Sequence, residues 1–255
     1  MYRQKKYILG EYLEVEIFQR SERERPLKRA KKIKESLPAQ KKLNCKNAVK
    51  TFNRLVHLNF SKADLFVDLT FSEEHLPDDR DDAVRLVKNY IERLRRARRK
   101  RQLEPMRYLY VISDHTESGE GARYHVHLII NGGLERSLVE SAWGLGYANT
   151  QSLQPNELGV SDKAVYMARQ GSGHGVRSWA GSKNLIRPEP IVSDKAITKA
   201  DMERISRNPE DRQFFEKRYP GWVFTDCQWN YDFINGHSAY IRMRRYGPPK
   251  GGERE

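Results

Sequence analysis

Residues Tyr124-His-Val-His-Leu-Ile-Ile130 place two histidines inside an otherwise apolar run. Side chains alternate between the two faces of a β-strand, so His125 and His127 are predicted to point to one side and Val126 to the other. Two imidazoles side by side on a strand form a pair of candidate metal ligands. The alternative is a pair of partly exposed strand residues that bind no metal.

The composition indicates a soluble, polar protein with a polyanionic partner. The 255 residues are 38% hydrophobic and 32% charged, with a net charge of +13, which favours nucleic acid as a partner. The two cysteines, Cys45 and Cys227, lack metal-type spacing, and no apolar run approaches the roughly 20 residues of a membrane span. We therefore expect a reduced, cytoplasmic setting without membrane attachment. The stretch Gly171-Ser-Gly-His-Gly175 lacks the lysine and hydroxyl residue of a nucleotide-binding loop, which excludes an ATP-driven motor domain within this chain.

Hydrophobic periodicity predicts an α+β fold with an antiparallel sheet. The predicted strands are residues 12–18, 64–71, 108–113, 124–130, 147–153, 222–226 and 238–246. The predicted helices are residues 44–60, 82–100, 134–143, 161–170 and 198–207. The helix over 82–100 carries one apolar stripe, and its other face is predicted to hold the cations Arg93, Arg95, Arg96, Arg98, Arg99 and Lys100.

The predicted domain division follows from charge and patterning. Residues 1–42 form a basic N-terminal strand and arm, residues 43–246 the main domain, and residues 247–255 a polar C-terminal tail. Within the first segment, residues 20–42 contain two prolines and many cations, which suit either a flexible arm over nucleic acid or a solvated linker.

Two places offer chemistry that complements the histidines. Asp114 ends the strand that leads into the histidine strand, so its carboxylate could reach the same face as a metal ligand; alternatively it initiates a turn. On the predicted helix 161–170, Tyr166 and Gln170 share one face, with Lys163 and Arg169 three residues to either side of the tyrosine. A tyrosine on such a helix is often a core residue, but nearby cations favour its phenolate, which can attack a phosphodiester.

An ordered set of motifs resembles the HUH endonucleases, the rolling-circle replication initiators, and within them the single-tyrosine initiators of filamentous-type phages. The matching features are Leu43-Asn-Cys-Lys-Asn-Ala-Val49, Asn59-Phe60, Asp64-Leu-Phe-Val-Asp-Leu-Thr-Phe71, Tyr90-Ile-Glu-Arg-Leu-Arg-Arg96, His125-Val-His127, Trp143-Gly144, Tyr166, Arg177-Ser-Trp-Ala-Gly-Ser-Lys-Asn-Leu185 and Tyr240-Ile-Arg-Met-Arg244. The resemblance covers roughly residues 43–245. Arg169 stands where the family often has lysine, and Asp114 where it commonly has glutamate.

The resemblance implies a palm like that of RNA-recognition domains, with a central antiparallel sheet of about five strands flanked by helices. It implies that His125 and His127 hold Mg²⁺ or Mn²⁺, with Asp114 or Gln170 completing the protein ligands. Tyr166 would attack a DNA phosphate to give a 5′-phosphotyrosine link, which a later 3′-OH reseals. Two cations beside the tyrosine, Lys163 and Arg169, would position phosphate or stabilise the phenolate.

The implied function is the nicking and rejoining of single-stranded origin DNA, which we expect to form a hairpin. The expected setting is the cytoplasm of a bacterial host cell, and the expected protein partners are the helicase and the polymerase of that host. The segment after the tyrosine suits single-stranded DNA through Arg177, Trp179, Lys183 and Arg187, unless it is an ordinary basic loop with its tryptophan in the core. The rival functions are a transposase or mobilisation nuclease of the same superfamily, and a non-catalytic nucleic-acid-binding module.

Overall fold

A computed structural model describes residues 1–20, 38–115, 121–154, 167, 179–233 and 235–246 of the chain. Within these residues the strands are β1 (Tyr2–Leu9), β2 (Tyr12–Gln19), β3 (Leu65–Thr70), β4 (Tyr108–His115), β5 (Gly121–Ile130), β6 (Ala148–Ser152), β7 (Ala180–Gly181), β8 (Ile191–Ser193), β9 (Trp222–Asp232) and β10 (Gly236–Arg245). The α-helices are α1 (Pro38–Asn59), α2 (Arg80–Lys100), α3 (Arg136–Ser141), α4 (Lys199–Arg207) and α5 (Arg212–Arg218), and a short 3₁₀ helix spans Glu73–His75.

The chain divides into two compact units. One comprises Leu37–Arg187, and the other combines Met1–Ser36 with Pro188–Glu255. This division differs from the predicted boundaries, because the N-terminal strands pair with strands from the C-terminal third of the chain: β2 pairs with β10, and β1 pairs with β8. Such long-range pairing leaves no mark in local periodicity.

The histidine strand β5 is the middle strand of an antiparallel sheet in the order β6-β3-β5-β4-β7. Val126, Leu128 and Ile130 face one side, where they pack in a core with the apolar residues of α2 and α3. Ile129, from the alternate set that includes the histidines, packs in a second core with residues of α1. Both faces of the sheet are therefore covered, and the alternation predicted for the histidine strand is confirmed.

Helix α2 begins where Asp79 caps it, with the carboxylate accepting a hydrogen bond of 2.8 Å from the backbone N–H of Asp82. Its buried residues recur every three or four positions, as in Val87, Tyr90 and Leu94. This spacing makes one apolar stripe that packs on the sheet.

Two arginines of α2 do not lie on the solvent face that the sequence predicted for them. Arg98 is only 3% exposed and donates hydrogen bonds to the carbonyl oxygens of Glu104, Asn131 and Gly132. Arg93 donates to the carbonyl oxygens of Ala142 and Trp143 at the C-terminal end of α3. The prediction was wrong for these two because their helical positions border the apolar stripe, where a long side chain can reach backbone acceptors of a neighbouring element.

The other compact unit contains a second antiparallel sheet, in the order β8-β1-β2-β10-β9. Helices α4 and α5 contribute Met202, Ile205 and Phe215 to a core with the apolar side chains of β2, β9 and β10. Helix α4 starts with a capping box in which Thr198 and Asp201 bond each other's backbone. The sequence predicted β2, β9, β10 and α4, but it did not predict β1, whose residues 3–6 are all polar.

The α+β fold with an antiparallel sheet is confirmed, and the second five-stranded sheet is an addition to it. The predicted helix 161–170 lies outside the described residues except for Met167, which is helical and buried. Among the described helices, none combines the length and the apolar character needed to cross a bilayer.

Candidate metal centre

His125 and His127 lie on one face of β5, with their ring centroids 5.0 Å apart. His127 is 7% exposed, whereas His125 is half-buried. The pair therefore has an inner and an outer member. This arrangement suits two ligands that approach one cation from the protein side.

A carboxylate of the neighbouring strand orients His127. The register between β3 and β5 sets Asp68 directly opposite this histidine, and the distance from His127 Nδ1 to Asp68 Oδ1 is 2.6 Å. The ring also stacks on Phe66, with centroids 5.9 Å apart and planes inclined by 19°. The carboxylate and the aromatic ring together fix the orientation of the imidazole.

A backbone carbonyl orients His125. Its Nδ1 lies 3.2 Å from the carbonyl oxygen of Arg123, so the Nδ1–H can donate to that oxygen. When Nδ1 carries the proton in both histidines, each proton has an acceptor. The lone pair that could bind a metal is then on Nε2. Histidines that bind metal commonly donate Nδ1–H to a carboxylate or a carbonyl in this way. The two imidazoles therefore fit a divalent cation bound through Nε2.

The third protein ligand stays a prediction. Asp114 lies in β4 next to an irregularity in the pairing between Ser113 and His115, and the residue opposite His125 is Ser113. Within the described residues, no group of three or more His, Cys, Asp and Glu side chains is placed to hold a metal. Gln170, the other predicted ligand, lies outside those residues.

No sequence pattern identified Asp68 as a site residue, although its carboxylate lies 2.6 Å from His127 Nδ1. The signal was present as one charged residue in the middle of the apolar strand β3. A carboxylate in such a position needs a partner, because burying an unpaired charge is costly. Only the strand register identifies that partner as His127, which is 59 residues away in sequence.

The predicted nucleophile, Tyr166, lies outside the described residues, as do Lys163, Arg169 and Arg177. Met167, which follows the tyrosine in sequence, is fully buried. It packs in the same core as Ile129 of the histidine strand and Val111 of β4. The register places Val111 opposite His127, so Met167 packs on the histidine face of the sheet.

The segment Trp179–Arg187 is held against this same core. Trp179 is half-buried and meets the ring of Phe52 on α1 edge-on, with centroids 5.8 Å apart. Asn59, also on α1, receives a hydrogen bond of 2.7 Å from the N–H of Ile186 and donates one of 2.9 Å to its carbonyl oxygen. The side chain of Trp179 thus contributes in part to the packing and remains partly exposed, so its role in DNA binding stays a prediction.

Two cations predicted to bind DNA, Lys183 and Arg187, are exposed on this anchored segment. A further cation, Arg123, is on the same strand face as the histidines, two residues before His125. Its side chain is 61% exposed and forms an ion pair of 2.8 Å with Glu73 beyond the end of β3. Positive charge therefore lies both on the segment and two residues before His125, where Glu73 offsets the charge of Arg123.

One comparison with known proteins gives a match. Residues 64–171 match the family model of the replication-associated protein ORF2. The matched region begins at the strand that carries Asp68 and includes the histidine pair and Tyr166. Searches of curated proteins and of solved structures give no match. The matched family supports a replication-initiator role for a chain with this site.

Proposed function

We propose that this chain starts rolling-circle DNA replication by nicking single-stranded origin DNA and later rejoining it, as a single-tyrosine HUH endonuclease. The observation that carries the proposal is the histidine pair, in which His125 and His127 share a face and each has an acceptor at Nδ1. The match to a replication-associated family over residues 64–171 supports the same role.

His125 and His127 would hold Mg²⁺ or Mn²⁺ through Nε2, and Asp114 or Gln170 would complete the protein ligands. A bound divalent cation supplies Lewis-acid stabilisation of charge on a scissile phosphate. Asp68 keeps His127 in the tautomer that ligation requires, because its carboxylate accepts the Nδ1 proton. Asp68 is thus a positioning residue for the pair.

Tyr166 is the proposed nucleophile. Its phenolic oxygen forms a bond to the 5′ phosphate while the bond from that phosphate to the 3′ oxygen breaks, and the 3′ oxygen takes up a proton. The phenol loses its proton in the same reaction, and the cations Lys163 and Arg169 favour that loss. Met167, the next residue in the sequence after Tyr166, is buried on the histidine face of the sheet, and this placement supports the assignment.

The link between phosphate and tyrosine conserves the energy of the phosphodiester bond. A later 3′-OH can attack the phosphotyrosine and release the phenol, so that rejoining needs no ATP. The free 3′-OH left by the nick would be extended by a host polymerase behind a host helicase. Trp179, Lys183 and Arg187 would hold the single strand by stacking and phosphate pairing, together with Arg177.

The test of the proposal is formation of a covalent protein–DNA species. The full chain is incubated with Mn²⁺ or Mg²⁺ and labelled single-stranded oligonucleotides that tile the DNA flanking its gene, including any hairpins. The expected product is a band that migrates slowly in denaturing gels and disappears after protease treatment. Tyr166→Phe should abolish this band.

Tyr147→Phe is the matched control, because Tyr147 is a 69% exposed tyrosine of the same compact unit. It should form the adduct as the unmodified chain does. An adduct that persists in Tyr166→Phe would show that another residue is the nucleophile. An adduct that forms equally well in His127→Ala and in a chelator would refute the role of the metal.

A further inference from the structure

The exposed side of α2 carries a row of cations that the proposed nicking reaction does not use. Arg85, Lys88, Arg96 and Arg99 are separated by three to eight residues and follow one face of the helix, and we call these four residues the basic stripe. All four are exposed, and at 1.5 Å per residue the stripe is about 21 Å long. Glu92 is the single acidic residue between its ends.

The basic stripe lies on the opposite side of the sheet from the histidine pair. Helix α2 packs its apolar face against Val126 and Leu128, which alternate with the histidines along β5. The cations point away from that core. The stretch of DNA that is bound at the histidines therefore cannot also be bound on the basic stripe.

Within the described residues, ion pairing accounts for Arg85, which pairs with Asp82, but not for Lys88, Arg96 or Arg99. Several cations of α2 are spaced three or four residues apart, such as Arg85 with Lys88 and Arg96 with Arg99, and like charges at this spacing destabilise a helix. The helix dipole favours cations only in the last turn, which includes Arg99 but not Arg85, Lys88 or Arg96. The side chains of Lys88 and Arg99 form no ion pair or hydrogen bond within the described part of the chain.

We propose that the basic stripe binds the phosphate backbone of double-stranded DNA. A duplex carries about one negative charge per 1.7 Å of its axis, so 21 Å of it presents roughly a dozen phosphates to the four cations. Single-stranded DNA is the less suitable occupant, because proteins that bind it stack bases on exposed aromatic side chains. The one aromatic residue of α2, Tyr90, is fully buried.

This site is independent of the nicking chemistry. It contacts backbone phosphates and so has no preference for a base sequence. Its role is to hold duplex DNA on one side of the sheet while the other side processes a single strand. Binding to the stripe should therefore persist in Tyr166→Phe.

The test measures fluorescence anisotropy of a labelled 20-base-pair duplex and of one of its strands, each over a series of salt concentrations. The variant is Lys88→Ala with Arg96→Ala and Arg99→Ala, because alanine maintains the helix. If each cation pairs with one phosphate, the slope of log K against log salt should fall by about 3. The affinity for the duplex at 0.1 M salt should then drop by between about tenfold and a few hundredfold.

The matched control removes three exposed cations from helices α4 and α5 of the other compact unit, with Lys199→Ala, Arg207→Ala and Lys217→Ala. The net charge changes equally in the two triple variants. Duplex binding should be retained in the control, and circular dichroism should show that both variants are folded.

Three results would overturn the proposal. The stripe variant could bind the duplex with unchanged affinity and salt slope, or the control could lose as much affinity as the stripe variant. Alternatively, the stripe variant could lose the same factor for the single strand as for the duplex, which would make single-stranded DNA the occupant. Adduct formation on a short single strand should be retained in the stripe variant, so failure of this proposal and failure of the nicking proposal are distinguishable.

Discussion

Replacing Asp68 by asparagine tests whether the histidine pair binds a metal. The carboxylate accepts the Nδ1 proton of His127 at 2.6 Å, and the imidazole is buried. The hydrogen bond to a carboxylate contributes about 1.5–3 kcal/mol, whereas a bond to a neutral amide oxygen contributes about 0.5–1.5 kcal/mol. The difference, about 1–1.5 kcal/mol, corresponds to a loss of affinity for the cation of roughly tenfold.

Asp68→Ala should have the larger effect, because it removes the acceptor altogether. Loss of a carboxylate that orients a metal-binding histidine weakens metal binding by about 10- to 100-fold, so alanine should lie near the upper end of this range. The assay is titration of the full chain with Mn²⁺, in which free Mn²⁺ is measured by electron paramagnetic resonance. His127→Ala gives the reference for a lost ligand.

The control is Asp226→Asn, which also alters an ion-paired aspartate within a strand. Asp226 accepts two hydrogen bonds from Arg242, both of 2.7 Å, and lies in the other compact unit. Its substitution should leave Mn²⁺ binding unchanged. If Asp68→Asn and Asp68→Ala both bind Mn²⁺ as tightly as the unmodified chain, the orientation of His127 by Asp68 does not serve metal binding.

Three further predictions concern packing and titration. Tyr90→Phe should reduce the free energy of unfolding in urea by about 1–2 kcal/mol, because the buried hydroxyl donates to the carbonyl oxygen of Val139 at 2.8 Å; an unchanged midpoint would refute this role. Burial raises the pKa of the Cys227 thiol to about 12, with carboxylates nearby adding to the shift. In the folded chain the thiol therefore stays protonated at pH 8. Mass spectrometry should find iodoacetamide on this cysteine only after unfolding, or as the pH approaches the raised pKa. Rapid labelling of the folded chain at pH 8 would contradict the raised pKa. Gly181→Ala would place a methyl group 2.7 Å from Leu109 Cδ2, so we expect a loss of about 1–3 kcal/mol in the free energy of unfolding in the same urea assay. A neutral result would mean that the side chains of Leu109 and Leu185 can move aside.

Local sequence patterns predicted most individual elements of the fold. The apolar stripe of α2 and the alternation of the histidine strand were both sufficient to assign an element and its buried face, since each depends only on residues a few positions apart. The strand β1 was missed because its polar residues 3–6 conceal any alternation. Its place in a sheet depends on pairing with β2 and β8, and β8 is nearly two hundred residues away in sequence.

The candidate site was likewise predictable from sequence only in its local features. The strand pattern was enough to place His125 and His127 on one face, because the geometry of any β-strand requires it. The composition shows the abundance of positive charge, which favours a nucleic-acid partner. Tyr166, Gln170 and the cations near them are still predictions from sequence.

Strand pairing and helix packing determine which groups surround the histidines and which cations face solvent. Asp68 meets His127 because two strands pair in one register, and a shift of one residue would turn the carboxylate to the other face. Arg98 is buried because its guanidinium donates hydrogen bonds to backbone carbonyl groups on the loop after β5. Arg96, two positions earlier, is exposed. Both cases have one cause: a contact between distant parts of the chain depends on strand register and packing, and the residues next to either partner in the sequence encode neither.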